Sequence, residues 1–353
     1  MIVYVGMFSL IIFTALLLKT VRINEENYNK LFLSISFILL FIVSALRAEL
    51  IGTDTVNYIN TFNLIKVTDF SQMFDSFRYE NGYIVLNKIV SYISSNPQSI
   101  IIVTSFIVLY LILNGIKNTS ENKVFSVVLF ITLYYYFVSF NAIRQYIAIG
   151  LLIVAYNYIK KRKLFKFIIF VLIATAFHQL ALIFLPLYLF YGIKLNYKKL
   201  LFIATSFVIF LVGFDTILDF VFSVLPEYSY YQGTEYFEGG GVLTSLVSGS
   251  ILLFGLLMRG TTKTDKEFDF LLLIVLFSFL TSLMSTRVIL FNRLNYYFEI
   301  FNIFFIPKAV NMEKNPKLRL IYYIVISSIT IFYCVIRLIE GWHRVIPYKF
   351  FVQ

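Results

Sequence analysis

Apolar runs near 20 residues recur along the chain, separated by short polar stretches. That is the length a helix needs to cross a bilayer's hydrocarbon core of roughly 30 Å. The runs predict spans at about 2–18, 31–47, 99–115, 124–140, 142–159, 164–177, 179–193, 200–223, 243–258, 269–286, 288–306 and 320–338. The fold class is therefore an all-α polytopic membrane protein of about twelve transmembrane helices, with residues 1–353 as one integral membrane domain. The runs 164–177 and 179–193 are short for two separate crossings and predict a tilted or re-entrant pair meeting at His178. Two longer polar loops, 47–98 and 226–242, interrupt the pattern, and the first holds amphipathic pieces at 54–66 and 82–95.

Charge orients the pattern. The loops 19–30, 117–123, 160–163, 194–199, 259–267 and 308–319 carry 19 of the 30 lysines and arginines. Short basic loops mark the cytoplasmic side, so both termini and the two long loops fall outside. The net charge of +11 is thereby spent on orientation, and nucleic acid is not an expected partner. Charged residues make up 14% of the chain, against roughly 25% in soluble domains. The first run lacks a basic start and a small-residue cleavage site, which reads as a retained helix. The one cysteine, Cys334, lies in an apolar run and forms no intrachain disulfide or cysteine-rich metal site.

The basic residues left on the outer face are mostly arginines: Arg47, Arg78, Arg144, Arg287, Arg293, Arg337 and Arg344. Lysine suffices for orientation, whereas the planar guanidinium binds phosphate oxygens in pairs. Arg144, Arg287 and Arg293 have few acids in their own segments, Glu299 being the main one. They point to a phosphate-bearing ligand, the alternative being local pairing or reach into the headgroups. Asp54, Asn57 and Tyr58 beside the glycine turn at Gly52, and Arg78, Glu80 and Tyr83 beside Gly82, suit sugar hydroxyls, or simply form turns. His178, next to Gln179, reads either as a buried hydrogen bonder or as a general base. His343 beside Trp342 reads as an interfacial anchor. There is no Walker A loop, no Gly-x-Ser-x-Gly and no metal-ligand spacing, so no cofactor is expected. Asp54 and Glu80 leave a divalent ion open.

Short pieces spread in order over nearly the whole chain resemble one family. They are Arg47 with Gly-Thr-Asp-Thr-Val-Asn-Tyr (52–58), Glu80-Asn-Gly-Tyr with Leu86-Asn87, and Arg144-Gln145 with Ala148. Phe177-His178 with Ala181-Leu182, Arg293 with Tyr296-Tyr297-Phe298, and Pro347-Tyr348-Lys349-Phe350 complete the set. The chain resembles the EpsG-like branch of the Wzy polymerases, which build bacterial exopolysaccharide, capsule and O-antigen. The resemblance implies a cell-membrane glycosyltransferase with a fold similar to membrane glycosyltransferases of the C type. It would join oligosaccharide repeat units carried on undecaprenyl pyrophosphate at the outer leaflet, with inversion and without a nucleotide. A flippase and a chain-length regulator of the same pathway are the implied partners. In that frame Arg144, Arg287 and Arg293 would hold the pyrophosphate. His178 or Asp54 would take the acceptor proton, and Arg47, Tyr58, Arg78, Glu80 and Gln145 would line the substrate, with 226–242 as a lid. An O-antigen-ligase-like transferase or a flippase of lipid-linked oligosaccharides are the competing readings. A membrane acyltransferase is disfavoured by the outer position of His178.

Overall fold

The computed structural model describes residues 1–216, 219, 239–261 and 264–351. The protein is helical; among the described residues extended backbone pairs only at an isolated antiparallel bridge, Arg47 with Phe350. Among the described residues six helices are long and apolar enough to cross a membrane: α1 (Ile2–Thr20), α2 (Glu25–Ala45), α6 (Gln98–Thr119), α13 (Val242–Thr261), α14 (Lys266–Ser285) and α17 (Pro316–Ile339). Between α2 and α6 lie α3 (Thr55–Val67), α4 (Met73–Ser76) and α5 (Asn81–Ile93). The amphipathic pieces expected at 54–66 and 82–95 are α3 and α5. At 13 residues each they extend about 20 Å, too short to span.

Several other expected spans are broken or short. The run 124–140 divides into α7 (Lys123–Thr132) and α8 (Tyr135–Val138) at Tyr134, whose backbone is left-handed at φ 74°. The Tyr134 hydroxyl donates to Trp342 O at 2.8 Å, so the C-terminal segment holds the break. The run 142–159 is the continuous α9 (Ile143–Lys160). Next come α10 (Leu164–Thr175), a 3₁₀ turn over Gln179–Phe184 and α11 (Leu187–Phe190). Arg162 Nη1 donates to Tyr188 O at 2.9 Å, so the chain after His178 returns to the basic end of α9. This is a hairpin with twelve helical residues in its first arm, about 18 Å. The run 288–306 divides into α15 (Phe291–Glu299) and α16 (Asn302–Asn311). The run 200–223 begins as α12 (Tyr197–Val212). Its last part and the loop acids Glu227, Glu235 and Glu238 lie outside the described residues.

Packing divides the chain into two compact units, 1–188 with 314–353, and 189–313. In the first, α9 is buried along most of its length between α6 and α10. Gly150 makes this possible, since a Cβ there would lie 2.7 Å from Leu111 Cβ on α6. The C-terminal segment after α17 straps onto the region following α2. Ala48 N donates to Lys349 O at 2.9 Å, Gly52 N to Arg344 O at 3.1 Å, and Tyr4 Oη to Val345 O at 2.8 Å. Trp342, expected as an anchor, covers the Arg337 guanidinium at 3.8 Å.

In the second unit the basic loops gather at one end, as the charge alternation groups them. Asp269 accepts from Leu195 N at 3.1 Å and pairs with Arg259 at 3.0 Å; Lys308 pairs with Asp265 at 2.8 Å. Helix starts in the lysine-rich loops are closed by side chains. Asn24, Asn122, Asn196, Asp265 and Asn315 each accept from backbone amides of the first turn, satisfying donors that a helix leaves open. The helices α3, α5, α9 and α15, which start from the arginine-bearing loops, lack such caps, whereas α6 starts with Gln98 N donating to Asn96 Oδ1 at 2.9 Å.

Candidate functional site

The site in the first unit is built where the helix pair α3/α5 meets the start of α9. Glycine comes first. Gly52 has φ 99°, and a Cβ there would lie 2.8 Å from Asn141 Oδ1. The loop therefore passes directly over Asn141. Asn141 Oδ1 accepts from Thr53 Oγ1 at 3.0 Å and from Asp54 N at 3.3 Å, and its Nδ2 donates to His343 O at 3.4 Å. Tyr58 Oη donates to Asn141 O at 2.6 Å. One buried asparagine thus holds the loop 52–58, the turn before α9 and the C-terminal strap. The sequence reading gave Asn141 no role. A polar residue just before the helix that carries Arg144 was the available signal.

Arg144 lies in the first turn of α9. A cation there faces the positive end of the helix dipole and the open backbone amides, and so calls for an anion. Glu80 supplies one from the residue preceding α5: Arg144 Nη1 and Glu80 Oε2 form an ion pair. The side chains are 18% and 14% exposed, so the pair is neither solvated nor sealed. The guanidinium also covers the Tyr79 ring at 4.5 Å and approaches Tyr83 at 6.0 Å. Glu80 Oε1 accepts from Gln179 N at 3.2 Å, the residue after His178. One carboxylate therefore joins the outer loop, α9 and the turn of the α10 hairpin.

Gly82 keeps this junction tight. Its N–H donates to Ala176 O at 2.8 Å, and a Cβ at Gly82 would lie 2.5 Å from that oxygen. Gly82→Val is expected to push α5 off the hairpin and separate Glu80 from Gln179. Cross-linking of cysteine pairs placed at residues 81 and 177 checks this: efficient in the parent, and lost in the variant while it still elutes as a folded species.

The remaining expected residues divide by environment. Asp54 is half-buried at the start of α3, and its carboxylate makes no hydrogen bond or ion pair among the described residues. Tyr58 packs edge-on to Tyr83 at 5.8 Å. Tyr83 is fully buried, and its hydroxyl has no hydrogen-bond partner among the described residues. His178 and Gln145 are buried, His178 donating its backbone N–H to Ala174 O at 3.0 Å. Arg78 is exposed and unpaired among the described residues. Arg47, expected on the substrate, is 1% exposed. Its Nη1 donates to Ser44 O and to Ser105 Oγ (3.4 Å), its Nη2 to Phe140 O at 3.2 Å, and it covers the Phe140 ring at 4.7 Å. These contacts make it a tie between the ends of α2, α6 and α8 and leave little of it for a ligand.

Arg287 and Arg293 belong to the second unit and are exposed. Arg287 Nη1 donates to Leu211 O at 3.1 Å. The glycines 239–241 close against this corner: Gly240 N donates to Ser285 O at 3.0 Å, and a Cβ at Gly241 would lie 2.7 Å from Ser285 Oγ. Beneath it runs a buried polar seam that sequence reasoning missed. Asn295 donates to Glu299 at 2.8 Å and accepts from Ser278 at 2.8 Å and Thr281 at 3.2 Å. Spacing of Asn292, Asn295, Glu299 and Asn302 at three and four residues was its signal.

Among the described residues no group of three or more His, Cys, Asp or Glu is placed to hold a metal ion. No curated protein and no solved structure matches the chain. The EpsG family profile, in contrast, matches residues 30–350, from within α2 to the end of the C-terminal strap and across both units. This membrane-type helical chain, with its arginine–carboxylate junction, therefore belongs to the EpsG family, a family of Wzy-like polysaccharide polymerases.

Proposed function

We propose that the protein extends a polysaccharide by inverting transfer between oligosaccharide units carried on undecaprenyl pyrophosphate. The transfer takes place at the outer face of a bacterial cell membrane and uses no nucleotide. The acceptor hydroxyl attacks the anomeric carbon of the donor, a new glycosidic C–O bond forms, and the bond from that carbon to the pyrophosphate oxygen breaks. The lipid pyrophosphate leaves with the electron pair. Asp54 or His178 takes the hydroxyl proton. Arg144, at a helix start whose amides also favour anions, stabilises the charge gathering on the leaving group. Glu80 orients Arg144, the half-buried Tyr79 offers a ring to the sugar, and the buried Tyr58 and Tyr83 pack behind it. On the second unit Arg287 and Arg293 are candidates for the same anion chemistry, and the loop 226–242 for a cover. Short and broken helices complete about twelve passages in pairs, in a fold similar to membrane glycosyltransferases of the C type.

The observation that supports this reading most is the junction itself. Glu80 holds Arg144 from one side and the Gln179 amide, next to His178, from the other. Anion-binding, sugar-suited and proton-accepting residues from three distant stretches are thereby brought together. The test supplies purified protein in liposomes with a lipid-linked repeat unit and no nucleotide. The expected result is a ladder of saccharides that is lost in Arg144→Ala and His178→Ala. Movement of the lipid across the sealed bilayer without a ladder would overturn the polymerase reading in favour of a flippase.

A further inference from the structure

We propose that the α3/α5 pair lies flat in the membrane interface, with the end far from Arg144 dipped into lipid. This inference is independent of the polymerase reading and stands on the direction of the two helices.

The helices run parallel. At one end the Tyr58 and Tyr83 rings meet at 5.8 Å. At the other, the Lys88 ammonium closes the last turn of α3, donating to Ile65 O, Lys66 O and Thr68 O at 3.2, 3.2 and 2.7 Å. Just beyond, Lys66 Nζ donates to Ser95 O at 3.4 Å. Each end is tied to the end of a long helix. The first is fastened through Tyr58 to Asn141, immediately before α9. The second runs through residues 94–97 into Gln98, whose Nε2 donates to Ala45 O at 2.7 Å and Arg47 O at 3.1 Å, where α2 stops. Arg47 in turn reaches Phe140 O, at the same level as Asn141. Both ends of a pair about 20 Å long are thus held at one membrane boundary, and its axis must run along that boundary.

The two ends differ in chemistry. The end toward Arg144 carries Asp54, Asn57, Glu80 and Asn81. The far end exposes Leu64, Val67, Phe70, Ile89, Tyr92 and Ile93, with Val67 76%, Tyr92 73% and Ile93 80% exposed. Single exposed apolar residues are ordinary on any surface. Here they gather at one end of an amphipathic pair, four residues of chain before α6. On α6 itself Phe106 and Tyr110 are about half exposed, Phe106 beside Phe37 and Phe41 of α2. An apolar patch that ends four residues before a spanning helix, at the level where that helix starts, fits an acyl and headgroup boundary, and the exposed Lys66 beside it fits lipid phosphate.

The test places single cysteines at Val67, Tyr92 and Ile93 in the full-length protein in liposomes and attaches a nitroxide. The buried Cys334 stays native, with the labelled parent as blank. Cysteines at Phe106 and Asn60 serve as lipid-facing and polar-face references. Power-saturation spectroscopy then compares access to oxygen, which concentrates in lipid, with access to a water-soluble nickel chelate. The expected result is an oxygen-to-nickel ratio at 67, 92 and 93 several-fold above that at 60 and approaching that at 106. Nickel access equal to that at 60 would overturn the proposal. Spin–spin broadening that grows with protein density would also overturn it, assigning the patch to a second copy. Neither result depends on activity, so a polymerase failure and a failure of this placement remain distinguishable.

Discussion

Replacing Arg144 by alanine is expected to lower polymer formation by on the order of a hundredfold, with little loss of folded protein. A donor aimed at developing charge in a water-poor site is worth about 10² to 10³ in rate when removed. The ion pair with Glu80 sharpens the expectation. With Arg144 gone, the Glu80 carboxylate keeps the Gln179 amide and some access to water, so the fold tolerates the change. Arg144→Lys should recover only part of the rate, because an ammonium supplies charge without the planar fork. Glu80→Gln should fall between, since the amide still accepts from Gln179 N but no longer neutralises Arg144. Initial rates of ladder growth with one lipid-linked substrate measure all three. Full activity in Arg144→Ala would remove this arginine from the chemistry.

Replacing Arg47 by alanine is expected to do the opposite. It should destabilise the protein by on the order of 3 kcal/mol, the scale of breaking a buried charged contact by removing one partner. Its guanidinium is shared among Ser44 O, Ser105 Oγ, Phe140 O and the face of the Phe140 ring. Truncation strands two buried carbonyls and opens a void between α2, α6 and α8. Thermal unfolding in detergent should show a melting temperature well below that of Arg144→Ala. A melting temperature equal to the parent's, with lost activity, would return Arg47 to the substrate.

These two arginines show where sequence reading ended. Both follow an apolar run, both oppose the charge bias of their loop, and both resemble family positions. Nothing local separates them. Arg47 is buried because the C-terminal strap and α8, 93 residues away at Phe140, close over it. Arg144 stays partly open because its partner arrives from Glu80, 64 residues earlier. The expectation that Arg144 lacks an acid held only within its own segment. Glu80 lay in the loop read for sugar binding, and pairing across two loops leaves no periodic trace.

Element positions were more legible. The helical class, the long spans α1, α2, α6, α14 and α17, and the short helices α3 and α5 follow from run length and periodicity, which a chain satisfies locally. The breaks were not legible. Tyr134 leaves the helical region inside an unbroken aromatic run because its ring and hydroxyl are claimed by Phe137 and Trp342. No residue near Tyr134 marks a stop.

The sequence by itself therefore determined which stretches are helical, which loops share an end of the second unit, and the family, because hydrophobic period, basic-loop alternation and short motifs are properties of neighbours along the chain. Only the tertiary structure decided which arginine is a tie and which is paired at the site, that Asn141 fastens three segments, and that α3 and α5 run side by side. Each depends on a hydrogen bond or close approach between residues dozens to hundreds of positions apart. Such contacts are selected by packing of whole helices, against the entropy of the intervening chain, and not by the preferences of any one segment.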